Sequence, residues 1–78
     1  MYRFTTEFRG HLPVEIFAAS PEACIARFKD VMAADRRSHN DGWQADIDAV
    51  VEAAVQSPDR FITALPDGTA FVDHEQVF

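Results

Sequence analysis

The sequence contains little cysteine and glycine, few basic residues and no long hydrophobic run. A single cysteine excludes a disulfide framework and a thiolate zinc site. The three glycines are isolated, so no glycine-rich loop is available to bind phosphate. No apolar run approaches the roughly 18 residues of a membrane span, and the N-terminus lacks a signal-peptide core. We therefore expect a cytoplasmic protein that does not bind a membrane.

The chain has enough apolar residues for one core and too few for two. Hydrophobic residues make up 47% of the sequence and charged residues 26%, as in ordinary globular domains. Seven Phe, one Tyr and one Trp supply apolar area that offsets the entropy lost on folding. A chain of this length buries only about 60–65% of its unfolded surface. We expect residues 1–78 to form a single domain.

The acidic residues are concentrated in the second half of the chain. Residues 1–40 carry six basic and five acidic residues, whereas residues 41–78 carry only Arg60 against eight acidic residues. The whole chain has a net charge of −6, which argues against direct nucleic-acid binding. The acidic half is either a solvated face that aids solubility or a surface that docks on a basic partner.

Alternating apolar and polar residues predict two strands at the start of the chain. Residues 2–9 alternate strictly, and residues 12–18 continue as a second strand. Gly10 can take the positive φ that a turn between them needs. Pro13 lacks an amide donor, so the second strand starts there or lies at a sheet edge. The two strands are expected to form an antiparallel hairpin.

Two helices are predicted next. Residues 20–22, Ser-Pro-Glu, are typical of a helix start, and this helix runs to about residue 35, with Arg36 and Arg37 near its negative end. Asp41 is the expected cap of the second helix, with Gln44 as its capping-box partner. The second helix ends at Ser57-Pro58. Its apolar stripe is Trp43, Ile47, Val50, Val51 and Ala54.

The end of the chain predicts a second hairpin. Residues 60–65 and 69–73 have the composition of strands, and the segment between them has Pro and Gly at turn positions. Residues 74–78 remain unassigned. A hairpin alone is marginally stable, so joining both hairpins into one sheet predicts an α+β fold in the order ββααββ. This fold is a two-layer sandwich, with a four-stranded, mainly antiparallel sheet and two helices on one face.

Residues with catalytic or metal-binding potential do not form a recognisable constellation. Cys24 lies in the apolar stripe of the first helix and is expected to be a buried hydrophobe. The three histidines are scattered through predicted loops and the tail, with no i, i+4 metal pair. Asp48 and Glu52 could serve acid–base chemistry, but nothing on an exposed helix would separate their pKa values. We expect no enzymatic activity, no metal and no cofactor.

The acidic second helix is the strongest candidate for a binding surface. At about 100° per residue, Asp41, Asp48 and Glu52 fall within roughly 40° of one another, opposite the apolar stripe. The distance from Asp41 to Glu52 would be roughly 16 Å, comparable to several phosphates of one DNA strand. Trp43 lies on the apolar stripe and is expected in the core near Phe4, Phe28 and Phe61, with an exposed interaction anchor as the alternative. The predicted protein-binding residues are Asp41, Asp46, Asp48, Glu52 and Asp59.

The small size, acidity and lack of catalytic residues across the whole chain resemble small phage-encoded anti-CRISPR proteins. The resemblance is in overall character and includes no signature motif; it is closest to inhibitors of type I surveillance complexes, such as the I-C subtype. It implies a non-catalytic, monomeric inhibitor that blocks DNA binding by docking on basic Cas subunits of a protein–RNA complex. The predicted hairpin and helix of residues 1–35, which include Ala19-Ser20-Pro21-Glu22-Ala23, are similar to the start of HicB antitoxins. An antitoxin-like or adaptor module is therefore the alternative, and a housekeeping domain or small enzyme is a third reading.

Overall fold

The first two strands form the predicted hairpin. In the computed structural model, which describes residues 1–66 and 74–77, strand β1 is Tyr2–Phe8 and strand β2 is Leu12–Ala18. They pair antiparallel, with Phe4 opposite Ile16. The turn between them has positive φ at two consecutive residues, Arg9 (57°) and Gly10 (76°). Glycine adopts this conformation without steric strain, whereas an arginine does so at a cost of about 1–2 kcal/mol.

Helix α1 begins as predicted and ends slightly earlier. It comprises Pro21–Ala34, and the Ser20 side chain accepts a hydrogen bond of 3.1 Å from the amide of Ala23. Asp35 is the C-cap residue, and the last turn contains no basic residue. Arg36 and Arg37 follow the C-cap residue directly, near the negative end of the helix as predicted. Arg37 forms an ion pair with Asp35 at 2.8 Å.

Helix α2 comprises Trp43–Gln56, and its predicted cap is wrong. Gly42 occupies the N-cap position with a φ of 78°, and no side chain of the described residues caps the helix. Asp41 lies one residue too early for its carboxylate to occupy the cap position. Gln44 does not join a capping box; its side-chain amide donates to Asp48 at 3.0 Å. The predicted end at Ser57-Pro58 is confirmed, because Ser57 is the C-cap residue.

The predicted second hairpin stays a prediction, because only its first strand lies among the described residues. The segment after α2 begins with a 3-10 helix at Pro58–Arg60, so the third strand, β3, is only Ile62–Ala64. The predicted strand over residues 69–73 lies outside the described residues, and strand β4 is His74–Val77, which the sequence left unassigned. Strand β3 pairs with β1 and β4 pairs with β2, both antiparallel.

The structure confirms an α+β fold with a four-stranded antiparallel sheet and two helices. The strand order across the sheet is β3-β1-β2-β4, and the 3-10 helix adds an element to the predicted chain order ββααββ. Strand β2 is central, so Pro13 marks the start of a strand and not a sheet edge. This placement is possible because Pro13 is the second residue of β2, near the strand end where a missing amide donor is best tolerated.

One hydrophobic cluster joins the sheet to both helices. Phe4 contacts Phe28 of α1 at a ring-centroid distance of 5.0 Å, and Phe8 contacts Trp43 of α2 at 4.8 Å. Phe17 lies on the opposite face of β2, outside this cluster, and is nevertheless 6% exposed. The two-layer arrangement with both helices on one face therefore stays a prediction.

No helix among the described residues is long and apolar enough to span a membrane.

Candidate protein-binding surface

The structure does not bring the five predicted acidic residues together. Asp41 lies before α2, in the connection from α1, and Asp59 lies in the 3-10 helix after it. Only Asp46, Asp48 and Glu52 belong to α2 itself. Asp41 lies outside α2, so it does not share one helix with Glu52, and the distance of roughly 16 Å between them stays a prediction. The two acids that share a helix face, Asp48 and Glu52, are about 6 Å apart along the axis, or about two phosphate spacings.

Asp46 is neutralised by an arginine from the other half of the chain. The guanidinium of Arg9 donates through Nε to Asp46 Oδ2 at 2.5 Å and through a second nitrogen to the backbone carbonyl of Asp41. The same guanidinium lies 5.2 Å from the centre of the Trp43 ring. The alternation over residues 2–9 predicts Arg9 on the polar face of the sheet, and this prediction is wrong because β1 ends at Phe8. The left-handed turn after Phe8 takes its side chain to the start of α2.

Asp48 and Glu52 form the exposed acidic part of α2, which we call the acidic helix face. Both residues are exposed, and their carboxylates accept hydrogen bonds from glutamines on the same helix: Asp48 from Gln44 at 3.0 Å and Glu52 from Gln56 at 3.3 Å. Within the described part of the chain, no ion pair involves either carboxylate. Helix α2 has no lysine or arginine, so this face stays negative.

A second acid of the C-terminal half is also paired. Glu75 of β4 accepts a hydrogen bond from Arg27 of α1 at 2.5 Å. The tertiary fold thus places two arginines from the first half of the sequence, Arg9 and Arg27, against two acids of the second half. The negative charge that remains on described residues of the second half lies on Asp41, Asp48, Glu52 and Asp59.

Trp43 is a core residue, as the apolar stripe predicts. Its side chain is 2% exposed, and its indole Nε1 donates a hydrogen bond of 2.8 Å to the carbonyl of Met32 at the end of α1. Its aromatic neighbour is Phe8, whereas the predicted neighbour Phe4 contacts Phe28 and Phe61 instead. The reading of Trp43 as an exposed interaction anchor is wrong.

The connection between the helices begins with a strong ion pair. Asp35 accepts three hydrogen bonds from Arg37, one from its backbone amide and two from its guanidinium, at 2.8–2.9 Å. These bonds and the positive charge of Arg37 lower the pKa of Asp35 to about 2. The guanidinium of Arg37 also lies 5.9 Å from the centre of the Trp43 ring. The Asp35–Arg37 pair therefore connects the end of α1 to the start of α2.

Cys24 is buried, as its position in the apolar stripe predicts. It has no exposed surface, and its sulfur lies 3.7 Å from the carbonyl oxygen of Tyr2. A thiol without solvent access in apolar surroundings is a poor nucleophile. In the part of the chain that the structure describes, no three His, Cys, Asp or Glu side chains converge on a point where they could hold a metal ion.

An apolar groove beside Asp59 was not predicted from the sequence. The groove has a volume of about 410 Å³ and lies where α1, the end of α2 and β3 meet. Val55, which is 65% exposed, forms part of its lining. The helical period contains a signal for this residue. At about 100° per residue, Val55 lies roughly 40° beyond Val51, at the edge of the predicted apolar stripe.

Comparisons with known proteins found no relative for this chain. No protein-family model, no curated protein and no solved structure matches it.

Proposed function

We propose that this protein is a non-catalytic inhibitor that docks through the acidic helix face on a basic nucleic-acid-binding complex. The observation that supports this proposal is the charge of α2, a helix of 14 residues with three acidic residues and no basic one. Two of these acids, Asp48 and Glu52, are exposed and outside any described ion pair. Asp41 and Asp59 flank the helix and extend the negative surface at its two ends.

The proposed mechanism is competition for a surface that binds phosphates. A nucleic-acid channel is lined with lysine and arginine, and carboxylates held on a rigid helix can occupy this lining and displace its counterions. Asp46 contributes less than the sequence indicates, because Arg9 already neutralises it. The proposed partner is a basic protein or protein–RNA surface such as the Cas subunits of a type I effector. The proposed site of action is the cytoplasm, and the protein would act as a monomer.

The proposal includes the two-layer arrangement of the fold, in which both helices cover one face of the sheet. In that two-layer arrangement, α2 presents Asp48 and Glu52 outward while Trp43, Ile47 and Ala54 face the core. The burial of these three residues supports this orientation. The alternative function, a HicB-like antitoxin or adaptor module, is supported by the order β1-β2-α1 over residues 1–35.

The test measures binding of target DNA by a purified type I-C surveillance complex. Wild-type protein in excess is expected to abolish DNA binding, and the double variant Asp48→Lys with Glu52→Lys is expected to lose this effect. Like charges facing a basic surface cost several kcal/mol, whereas each exposed substitution changes stability by only about 0.5 kcal/mol. The inhibition should also weaken as salt shortens the Debye length to about 8 Å or less.

The matched control makes the same change of charge at two positions outside α2. The double variant Glu7→Lys with Asp30→Lys alters the net charge equally at two exposed positions on β1 and α1 and should still inhibit. Thr5→Ala, on the opposite sheet face, is the neutral control. Inhibition by the Asp48→Lys, Glu52→Lys variant at the wild-type level would contradict the proposed interface. A wild-type protein that leaves DNA binding unchanged would contradict the proposed partner.

A further inference from the structure

The apolar groove beside Asp59 has the dimensions of a binding site. Its volume of about 410 Å³ lies within the range of about 300–1,000 Å³ for ligand pockets. Ile25 of α1, Val55 of α2 and Ile62 of β3 contribute apolar surface to it. A single exposed valine is common on protein surfaces and carries no meaning alone. Val55 differs because its exposed methyl groups line a concave surface of this size.

Strand β3 has backbone groups beside the groove that do not bond to β1. The amide of Thr5 donates to the carbonyl of Phe61, and the amide of Leu65 donates to the carbonyl of Met1. The residues that bond to β1 are therefore the odd-numbered ones, so the backbone groups of Ile62 and Ala64 point away from β1. Among the described strands, β3 is an edge of the sheet, and an edge is a template for pairing with another segment.

The charge of the groove selects a basic occupant. Glu22 at the start of α1 and Asp59 in the 3-10 helix both line the groove, and its described lining contains no basic residue. The carbonyl end of α2, which carries partial negative charge, has no basic residue in its last turn. Glu22 in turn offsets the positive end of α1. An apolar surface with two carboxylates and no cation complements an apolar side chain flanked by lysine or arginine.

We propose that this groove binds an extended segment of a partner protein that pairs with β3 and places an apolar side chain, flanked by basic residues, beside Val55. The backbone of the segment bonds to Ile62 and Ala64, as in other cases of strand addition. Its apolar side chain packs against Ile25 and Val55, and its basic side chains interact with the carboxylates of Glu22 and Asp59. This inference goes beyond the proposed function, because neither residue of the acidic helix face lines the groove.

The test uses a short synthetic probe and residue-level detection. The probe is an acetylated and amidated peptide with the sequence Lys-Val-Lys-Val-Lys-Val, added to isotope-labelled protein and followed by NMR. We expect shifts of the backbone amide resonances of Ile62 and Ala64. The variant Val55→Lys should weaken the binding by about tenfold or more, because it replaces an apolar contact with a like charge. Circular dichroism checks that this exposed substitution leaves the fold intact.

Matched controls separate the groove from general charge attraction. Ala49→Lys places the same new charge at another exposed position of α2 and should leave the peptide affinity within about twofold. The peptide Glu-Val-Glu-Val-Glu-Val should cause no shifts. The variant Asp48→Lys with Glu52→Lys should still bind the peptide, so that failure of the proposed inhibitor function and failure of this inference are distinguishable.

Three outcomes would overturn the inference. In the first, Val55→Lys binds the basic peptide as well as wild type. In the second, the acidic peptide shifts the same resonances as strongly as the basic one. In the third, the resonances of Ile62 and Ala64 shift with protein concentration in the absence of peptide, which would assign the groove to a second copy of this chain.

Discussion

At the residue scale, Arg9 connects the β1–β2 turn to the start of α2. Its guanidinium contacts Asp46, the carbonyl of Asp41 and the Trp43 ring, while its backbone has a φ of 57°. A cation over an aromatic ring contributes about 0.5–1 kcal/mol, and a partly exposed ion pair about 0.2–1 kcal/mol. We expect Arg9→Ala to lower the free energy of unfolding by about 1–2 kcal/mol, as measured by urea denaturation.

The control for this prediction is Arg9→Gly, which removes the same contacts and also relieves the steric strain of the left-handed backbone. It should be more stable than Arg9→Ala by about 1 kcal/mol. A double-mutant cycle with Asp46→Asn isolates the contribution of the ion pair. If the urea concentration at the midpoint of unfolding is the same for Arg9→Ala and wild type, the contacts of Arg9 contribute nothing to stability.

At the scale of elements, the Asp35–Arg37 pair predicts how the end of α1 responds to acid. The pKa of Asp35 is lowered to about 2 by its hydrogen bonds to Arg37, below the value of about 3.9 for an unfolded chain. The pair therefore stabilises the folded state fully above about pH 4 and loses this effect as the pH falls through about 2. Asp35→Asn should be less stable than wild type at pH 7, and the difference should close by pH 2.

Urea denaturation at pH 7, 4 and 2 measures this difference. Asp30→Asn, which removes a carboxylate from an exposed position of α1, is the control for loss of negative charge alone. A difference between Asp35→Asn and wild type that stays constant from pH 7 to pH 2 would contradict the assigned role of the pair.

At the scale of the whole molecule, the single hydrophobic cluster predicts one cooperative unfolding transition. The cluster includes residues of β1, β2, β3 and both helices. Unfolding of one element therefore exposes the core residues of the others. Trp43 is the single tryptophan. It bonds to Met32 at the end of α1 and packs against Phe8 of β1, so its fluorescence reports on this core. We expect its fluorescence and the far-UV circular dichroism to change at the same urea concentration. Two separate midpoints would contradict a single domain over residues 1–78.

The sequence alone determined the parts of this protein that depend on local periodicity. The alternation over residues 2–9 and 12–18 and the cap at Ser20 predicted β1, β2 and the start of α1, because strand and helix periods of 2 and 3.6 are set by the backbone itself. The same periodicity placed Trp43 and Cys24 in the core. The charge asymmetry between the two halves was also readable directly from the residues.

Tertiary structure decided how distant segments meet, and this changed both the sheet and the candidate site. Among the described strands, β3 and β4 take opposite edges of the sheet, because each pairs with a strand of the first hairpin. The helical period sets Asp46 apart from the face shared by Asp48 and Glu52, but only the tertiary structure, through the turn at Arg9, brings a cation to Asp46 and leaves the other two exposed. The groove beside Val55 combines residues of β1 and α1 with the segment from the end of α2 to β3, so no local pattern could have revealed it.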